Sequence, residues 1–201
     1  KQDDINATMI ALARAGKHVV RLKGGDPMIF GRAGEEITML ENHGIAVSVV
    51  PGITSALAMA SQLGISLTHR DHAQSVRFVT GHSRDGSLPS DLDWSGIADA
   101  KTTTIFYMGG RTAAQIAVKL QSNGMNPATP IVICKSVARE GFSRWSGVLA
   151  DLAAGMAEMG TNEPVLIGVG PVFAAQAVNQ MVDVQAGREK LSAITAVWPS
   201  A

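Results

Sequence analysis

The densest set of residues able to do chemistry lies in the stretch Val20-Arg-Leu-Lys-Gly-Gly-Asp-Pro-Met-Ile-Phe-Gly-Arg32. Paired glycines let backbone amides approach a ligand with no Cβ in the way, so Gly24 and Gly25 suit a ligand-binding loop. Asp26 adds a carboxylate that accepts hydrogen bonds from hydroxyl or ammonium groups. The same residues also spell a tight turn with a solvated aspartate, and a motif this short does not choose between the two. It is neither a phosphate-binding loop of the Gly-x-x-x-x-Gly-Lys-Ser/Thr type nor a Gly-x-Gly-x-x-Gly fingerprint.

Two further stretches share the construction. In Val49-Val-Pro-Gly-Ile-Thr-Ser-Ala56 an apolar run meets a Pro-Gly break and then hydroxyls at a helix start. Thr54 and Ser55 are either helix caps or ligand contacts. In Tyr107-Met-Gly-Gly110, Met108 either packs on a flat ligand ring or fills core. Glu35 and Glu36 follow Arg32 and read as acidic charges favoured by the dipole at a helix start.

These stretches need elements to hold them. Ile5, Met9 and Leu12 share one helical face after Asp3 and Asp4, with Gly16 as the stop. Residues 18–22 read as a short buried strand ended by Gly24, residues 32–42 as a helix with Ile37 and Leu40 inward, residues 45–50 as a second strand and residues 53–62 as a third helix. This strand, loop, helix rhythm predicts a parallel sheet. A polar segment, 64–75, is expected to link to a second unit. There, strands at 76–80, 102–108, 130–134 and 165–169 alternate with helices near 90–100, 112–123 and 148–159, with a further strand around 142–146. The expected organisation is an N-terminal α/β domain over 1–70, a C-terminal α/β domain over 71–183 and a tail over 184–201.

Composition narrows the class. The chain has 201 residues, 46% hydrophobic and 17% charged, enough for a sizeable core. Seventeen basic residues balance seventeen acidic ones, so no net field recruits nucleic acid or a membrane surface. The single cysteine, Cys134, allows no disulfide framework or zinc cluster within one chain, which fits a reducing cytoplasm. No apolar run approaches the roughly 18 residues of a membrane span.

Taken together, residues 21–32, Val50-Pro-Gly-Ile-Thr-Ser-Ala56, Leu67-Thr-His-Arg70, Thr80-Gly-His82, Tyr107-Met-Gly109 and Pro164-Val-Leu-Ile-Gly-Val-Gly170 resemble, in order and spacing, the tetrapyrrole methylases and among them the uroporphyrinogen III C-methyltransferases. The resemblance runs to about Val182. It implies two α/β domains with S-adenosylmethionine in the cleft between them, the first domain incomplete here, and a homodimer. Carried over by position, the cofactor contacts are Gly24, Gly25, Asp26, Ile29, Thr54, Ser55, Met108, Val137, Pro164 and Leu166, with S-adenosylhomocysteine as product. Val137 departs from the small residue usual there. The family's glycine-rich opening loop and its acid/base residues would lie upstream of Lys1, so no catalytic acid or base is assigned.

The implied reaction is conversion of uroporphyrinogen III to precorrin-2 by successive methylations. The alternatives are a methylase of a later precorrin or another substrate, and a non-catalytic nucleotide-binding module. Uroporphyrinogen is a polycarboxylate, so its side of the site calls for guanidinium and imidazole donors. Arg32, His69, Arg70, His82, Arg84 and Arg139 are the candidates, and His69 with Arg70 lead because they fall in the expected linker.

Overall fold

The computed structural model describes residues 2–83, 85–176 and 182–183. The chain divides into two compact units, Lys1–Leu57 and Ala58–Ala201.

The first unit opens with α1 (Gln2–Arg14), which buries Met9 and Asn6 and leaves Leu12 exposed. α2 (Ala33–Glu41) follows, burying Ala33 and Glu36 while Ile37 and Leu40 are half-buried. α3 (Ser55–Leu63) begins in this unit and continues into the second. The expected strands at 18–22 and 45–50 are a correction: neither segment enters a β-ladder. Val20 is 69% exposed, Leu22 82% and Val50 80%. An apolar, β-branched run favours extended chain, but a strand also needs a partner edge to take its N–H and C=O groups. Among the described residues these segments have none.

The second unit is built on a sheet of β1 (Ser75–Thr80), β2 (Thr102–Tyr107), β3 (Pro130–Lys135), β4 (Ser143–Val148), β5 (Val165–Val169) and β6 (Val182–Asp183), in the order β1-β2-β5-β3-β4-β6. Only β1 and β2 are parallel; β2–β5, β3–β5, β3–β4 and β4–β6 are antiparallel. The sheet of this unit is therefore mixed. β3 and β4 form a hairpin, and β5 returns between β2 and β3, so those two strands run the same way on either side of it. Alternation of elements along the chain does not reveal that insertion.

Between strands lie α4 (Trp94–Ile97), α5 (Ala113–Ser122) and α6 (Leu152–Met159). α5 buries Ala113, Ile116, Ala117 and Leu120, the i, i+3, i+4, i+7 spacing of one apolar face. α6 buries Leu152, Gly155, Met156 and Met159. Gly155 is there because of Trp145: a Cβ on it would sit 2.6 Å from the indole ring. The helix expected over 90–100 shrinks to one turn. Asp93 caps it by accepting the Gly96 N–H at 3.0 Å, and Asp99 starts a separate turn by accepting the Lys101 N–H at 2.9 Å. The core gathers Phe106, Ile116, Leu120, Ile131, Ile133, Trp145, Leu152 and Ile167. The segment 64–75 lies in this second unit and holds a closed turn, described below.

Candidate functional site

In the first unit the Gly24–Arg32 loop is shaped by side chains. Gly25 has φ +78°, a left-handed conformation natural to glycine. Asp26 faces inward on its own backbone: one carboxylate oxygen accepts the Met28 N–H at 2.8 Å and the other accepts the Gly52 N–H at 3.0 Å. Those donors, Gly52 first and then Met28, hold the Asp26 carboxyl below its ordinary range. The carboxylate therefore staples two loops together, a role beyond ligand contact that its position in sequence did not show.

The close approach explains Gly52. A Cβ there would fall 2.2 Å from the Gly25 carbonyl oxygen, so backbone meets backbone where the sequence suggested only a strand stop. Beside it, a Cβ placed on Gly25 would meet the Ile53 carbonyl at 3.8 Å, Ser55 Oγ at 3.9 Å and the Ser55 N–H nitrogen at 4.0 Å. This small cradle, polar on one side, lies at the start of α3, where amide donors and the helix dipole favour acceptor groups. Thr54 is buried beside it and Ile29 is 36% exposed.

The two glutamates differ. Glu35 lies at the surface and pairs with Arg32 at 2.6 Å. Glu36 is buried and takes Lys23 Nζ at 2.9 Å, Arg21 Nε at 3.4 Å and Gln2 Nε2 at 2.8 Å. Burial pushes its carboxyl up, but the hydrogen bonds from Lys23 and Gln2 outweigh that and leave it below the ordinary range. Glu36 stands in the first turn of α2, as the sequence reading has it, and is in addition the buried acceptor of three donors. Arg32, already bonded to Glu35, is engaged before any substrate arrives.

In the second unit the candidates collect at one end of the sheet. β1, β2 and β3 run in the same direction, so their carboxyl ends share an edge with the start of β5. Such edges are where open α/β sheets bind ligands. Leu166 pairs with both Tyr107 and Cys134, and Ser136 donates its N–H to the Pro164 carbonyl at 3.0 Å. Met108, Val137, Pro164 and Leu166 are thereby brought together. Leu166 is buried, Val137 half-buried and Pro164 exposed. Met108 is 47% exposed, which corrects the core alternative. Ser136 donates its hydroxyl to the Glu163 carboxylate, a contact missed in the sequence. Gly81 sits against Gly109, its N–H on the Tyr107 carbonyl at 2.7 Å, and Thr112 Oγ1 donates to the Gly81 carbonyl at 2.6 Å. Cys134 is buried in β3 and its thiol is pushed up to about 12, so it is no nucleophile.

Backbone strain marks the same places. Among the described residues, the non-glycine residues with left-handed φ are Phe30, Arg32, Met108, Ser136 and Ala138. Such conformations cost about 1–3 kcal/mol and concentrate at functional sites.

His69 and Arg70 lie on a tight turn. The His69 N–H donates to Ala73 O at 2.8 Å and the Ala73 N–H to His69 O at 3.0 Å. His69 Nδ1 accepts the Asp71 N–H at 3.2 Å, so the neutral ring carries its proton on Nε2. The His72 ring stacks on it at 4.5 Å. Thr68, His69, Arg70, Ala73 and Gln74 line a shallow recess. His82 is half-buried beyond β1 and Arg139 is exposed beyond β3, while Arg84 lies outside the described residues. Among the described residues no His/Cys/Asp/Glu group is arranged to hold a metal, and no helix is long and apolar enough to cross a membrane.

The sequence profile of the tetrapyrrole (corrin/porphyrin) methylases matches residues 1–153. The chain belongs to that family. It is 51% identical over 171 residues to a siroheme synthase of Chromobacterium violaceum and 49% identical to one of Pseudomonas fluorescens, in each case across 85% of this chain and 36% of the relative. It thus spans about a third of the length of these relatives. Among solved structures it resembles a uroporphyrin-III C-methyl transferase from Thermus thermophilus complexed with S-adenosylhomocysteine, with a TM-score of 0.74 and 35% identity over 87% of this chain and 75% of that one. It also resembles a cobalt precorrin-4 methyltransferase, with a TM-score of 0.75 and 25% identity over 84% of this chain and 70% of that one.

Proposed function

We propose that this chain is the larger part of an S-adenosylmethionine-dependent C-methyltransferase acting on uroporphyrinogen III to give precorrin-2. One observation carries the reading: among the described residues, each non-glycine residue with left-handed φ lies in a loop that holds or adjoins a position assigned to the cofactor by resemblance. The family membership and the siroheme synthase similarity support it.

The residues suit the cofactor. The cradle at Gly25, Ile53 and Ser55 offers a carbonyl, a hydroxyl and an amide to a ribose or an amino-acid group, and Met108 is exposed enough to meet a ring. The proposed cofactor contacts are those that the resemblance assigns: Gly24, Gly25, Asp26, Ile29, Thr54, Ser55, Met108, Val137, Pro164 and Leu166. When bound, S-adenosylmethionine supplies an electrophilic methyl group on a sulfonium. Transfer to a carbon nucleophile is in line, so the residues act chiefly by alignment. Because positive charge at sulfur is lost along the way, carboxylates close to it would favour the ground state. Asp26 has both oxygens bonded to backbone N–H groups and Glu163 is hydrogen-bonded to Ser136, which tempers both charges.

His69 and Arg70 are proposed to hold substrate carboxylates, with His69 offering Nε2–H and Arg70 its fork. A cytoplasmic homodimer belongs to the same proposal, with the domain boundary near Arg70. A methylase of a later precorrin is the second reading, favoured by the likeness to the precorrin-4 enzyme. Calorimetric titration of the folded chain with S-adenosylmethionine and S-adenosylhomocysteine tests the class; binding of neither would sink it. Methyl transfer by the complete protein to uroporphyrinogen III, against none to later precorrins, decides between the two substrates.

A further inference from the structure

We infer that Lys23 and Glu36 form a positioning pair that holds the Gly24–Arg32 loop in its ligand-ready shape, an inference that rests on the proposed cofactor role of Gly24–Asp26. Lys23 directly precedes Gly24, and its side chain is 11% exposed. Its ammonium donates to the Gly31 carbonyl at 2.6 Å and meets Glu36 at 2.9 Å. The first contact closes the loop at its base, joining the residue before it to one near its end. The second anchors that closure to α2. Arg21 and Gln2 complete the set of donors around Glu36, and Gln2 brings in α1.

Asp26 ties the tip to Gly52, but residues 18–23 lack ladder bonds, and Phe30 and Arg32 are kept at φ 53° and 58°. A left-handed residue persists only where its surroundings over-determine it. Gly31 admits no side chain, since a Cβ there would lie 2.5 Å from the Pro27 carbonyl oxygen. Without the ammonium bridge, the Gly31 carbonyl and the buried carboxylate would both lose their strongest donor.

The pair makes no contact with the cradle itself, so its effect must travel through the loop. The test is a double-mutant cycle of Lys23→Met and Glu36→Gln in the full chain, read by S-adenosylhomocysteine affinity well below the melting temperature and by amide exchange at Met28, Ile29 and Gly52. Each single variant is expected to weaken binding about tenfold, as for loss of one charge-assisted hydrogen bond. The double variant should be no weaker than the worse single one. Exchange should rise in the loop while the α5 amides keep their protection. Lys23→Arg should restore part of the affinity. Additive losses, or a folded Glu36→Gln chain with unchanged affinity and unchanged loop exchange, would overturn the inference. If the unaltered chain binds no S-adenosylhomocysteine, the cofactor reading fails, and the loop exchange rates alone then decide the positioning role.

Discussion

The two compact units solve the same problem in opposite ways. In the first, the Gly24–Arg32 loop is held by polar ties: Asp26 to Met28 and Gly52, and Lys23 to Gly31 and Glu36. In the second, Met108, Val137 and Leu166 are placed by ladder pairing of β2, β3 and β5 over a buried apolar core. The difference is one of cooperativity. Sheet register backed by a core resists local change, whereas a loop built from a few hydrogen bonds can lose its shape while the rest of the chain stays folded.

The largest break should come from the core. Phe106 is fully buried and stacks on Trp94 at 6.2 Å, so Phe106→Ala should cost about 3–5 kcal/mol of stability. Denaturant unfolding would show it, and ligand affinity of the remaining folded fraction should change little.

The turn at 69–73 is a third construction, local and exposed, and Arg70→Ala tests whether it serves substrate. Tetrapyrrole binding by the complete protein should weaken by about 1.5–3 kcal/mol, with S-adenosylhomocysteine binding and melting temperature unchanged. Arg70→Lys should recover part of it, since charge remains but the planar fork does not. Equal weakening of both ligands with a lowered melting temperature would assign Arg70 to bracing the turn.

At the loop contact, Gly52→Ala forces a Cβ onto the Gly25 carbonyl and should cost about 1–3 kcal/mol. Cofactor affinity should fall with it. Retained affinity would show that the two loops need not touch to bind.

Gly25→Val should be milder in stability, about 1–2 kcal/mol from the left-handed φ, but should fill the cradle and abolish S-adenosylhomocysteine binding. Calorimetry on the folded variant distinguishes these, and unchanged affinity would remove Gly25 from the cofactor site.

The smallest effect is acid sensitivity. Asp26 and Glu36 both have folded pKa values below their ordinary 3.8 and 4.5. Their contribution is therefore full above those values and is lost as pH falls through the lower folded ones. Protection of the 24–32 loop amides, taken relative to their intrinsic exchange rate at each pH, should stay constant down to the ordinary carboxylate range and fall below it. A loop indifferent to acid in that window would mean the polar ties are not what holds it.

Much of this was legible in the residues alone. Periodicity located α1, α2, α3, α5 and α6 and the strands at 75–80, 102–107, 130–135 and 165–169, because apolar spacing reports directly which face is buried. The glycine-marked stretches, taken together in order and spacing, carry the resemblance to the family. Other features depended on what meets what. Residues 18–22 and 45–50 have strand composition but no ladder, because pairing belongs to two segments and composition to one. The insertion of β5 between β2 and β3 is a choice of neighbour that no local pattern encodes. Glu35 and Glu36 are the same residue type one position apart, and only the helix's packing puts one on Arg32 at the surface and the other, buried, on Lys23. Gly52 looked like a strand stop until the Gly25 carbonyl proved to lie where its side chain would be. Residue type and spacing determine local conformation and chemical capacity; which of those capacities is spent on structure and which is left for a ligand is decided by contacts between residues far apart in the chain.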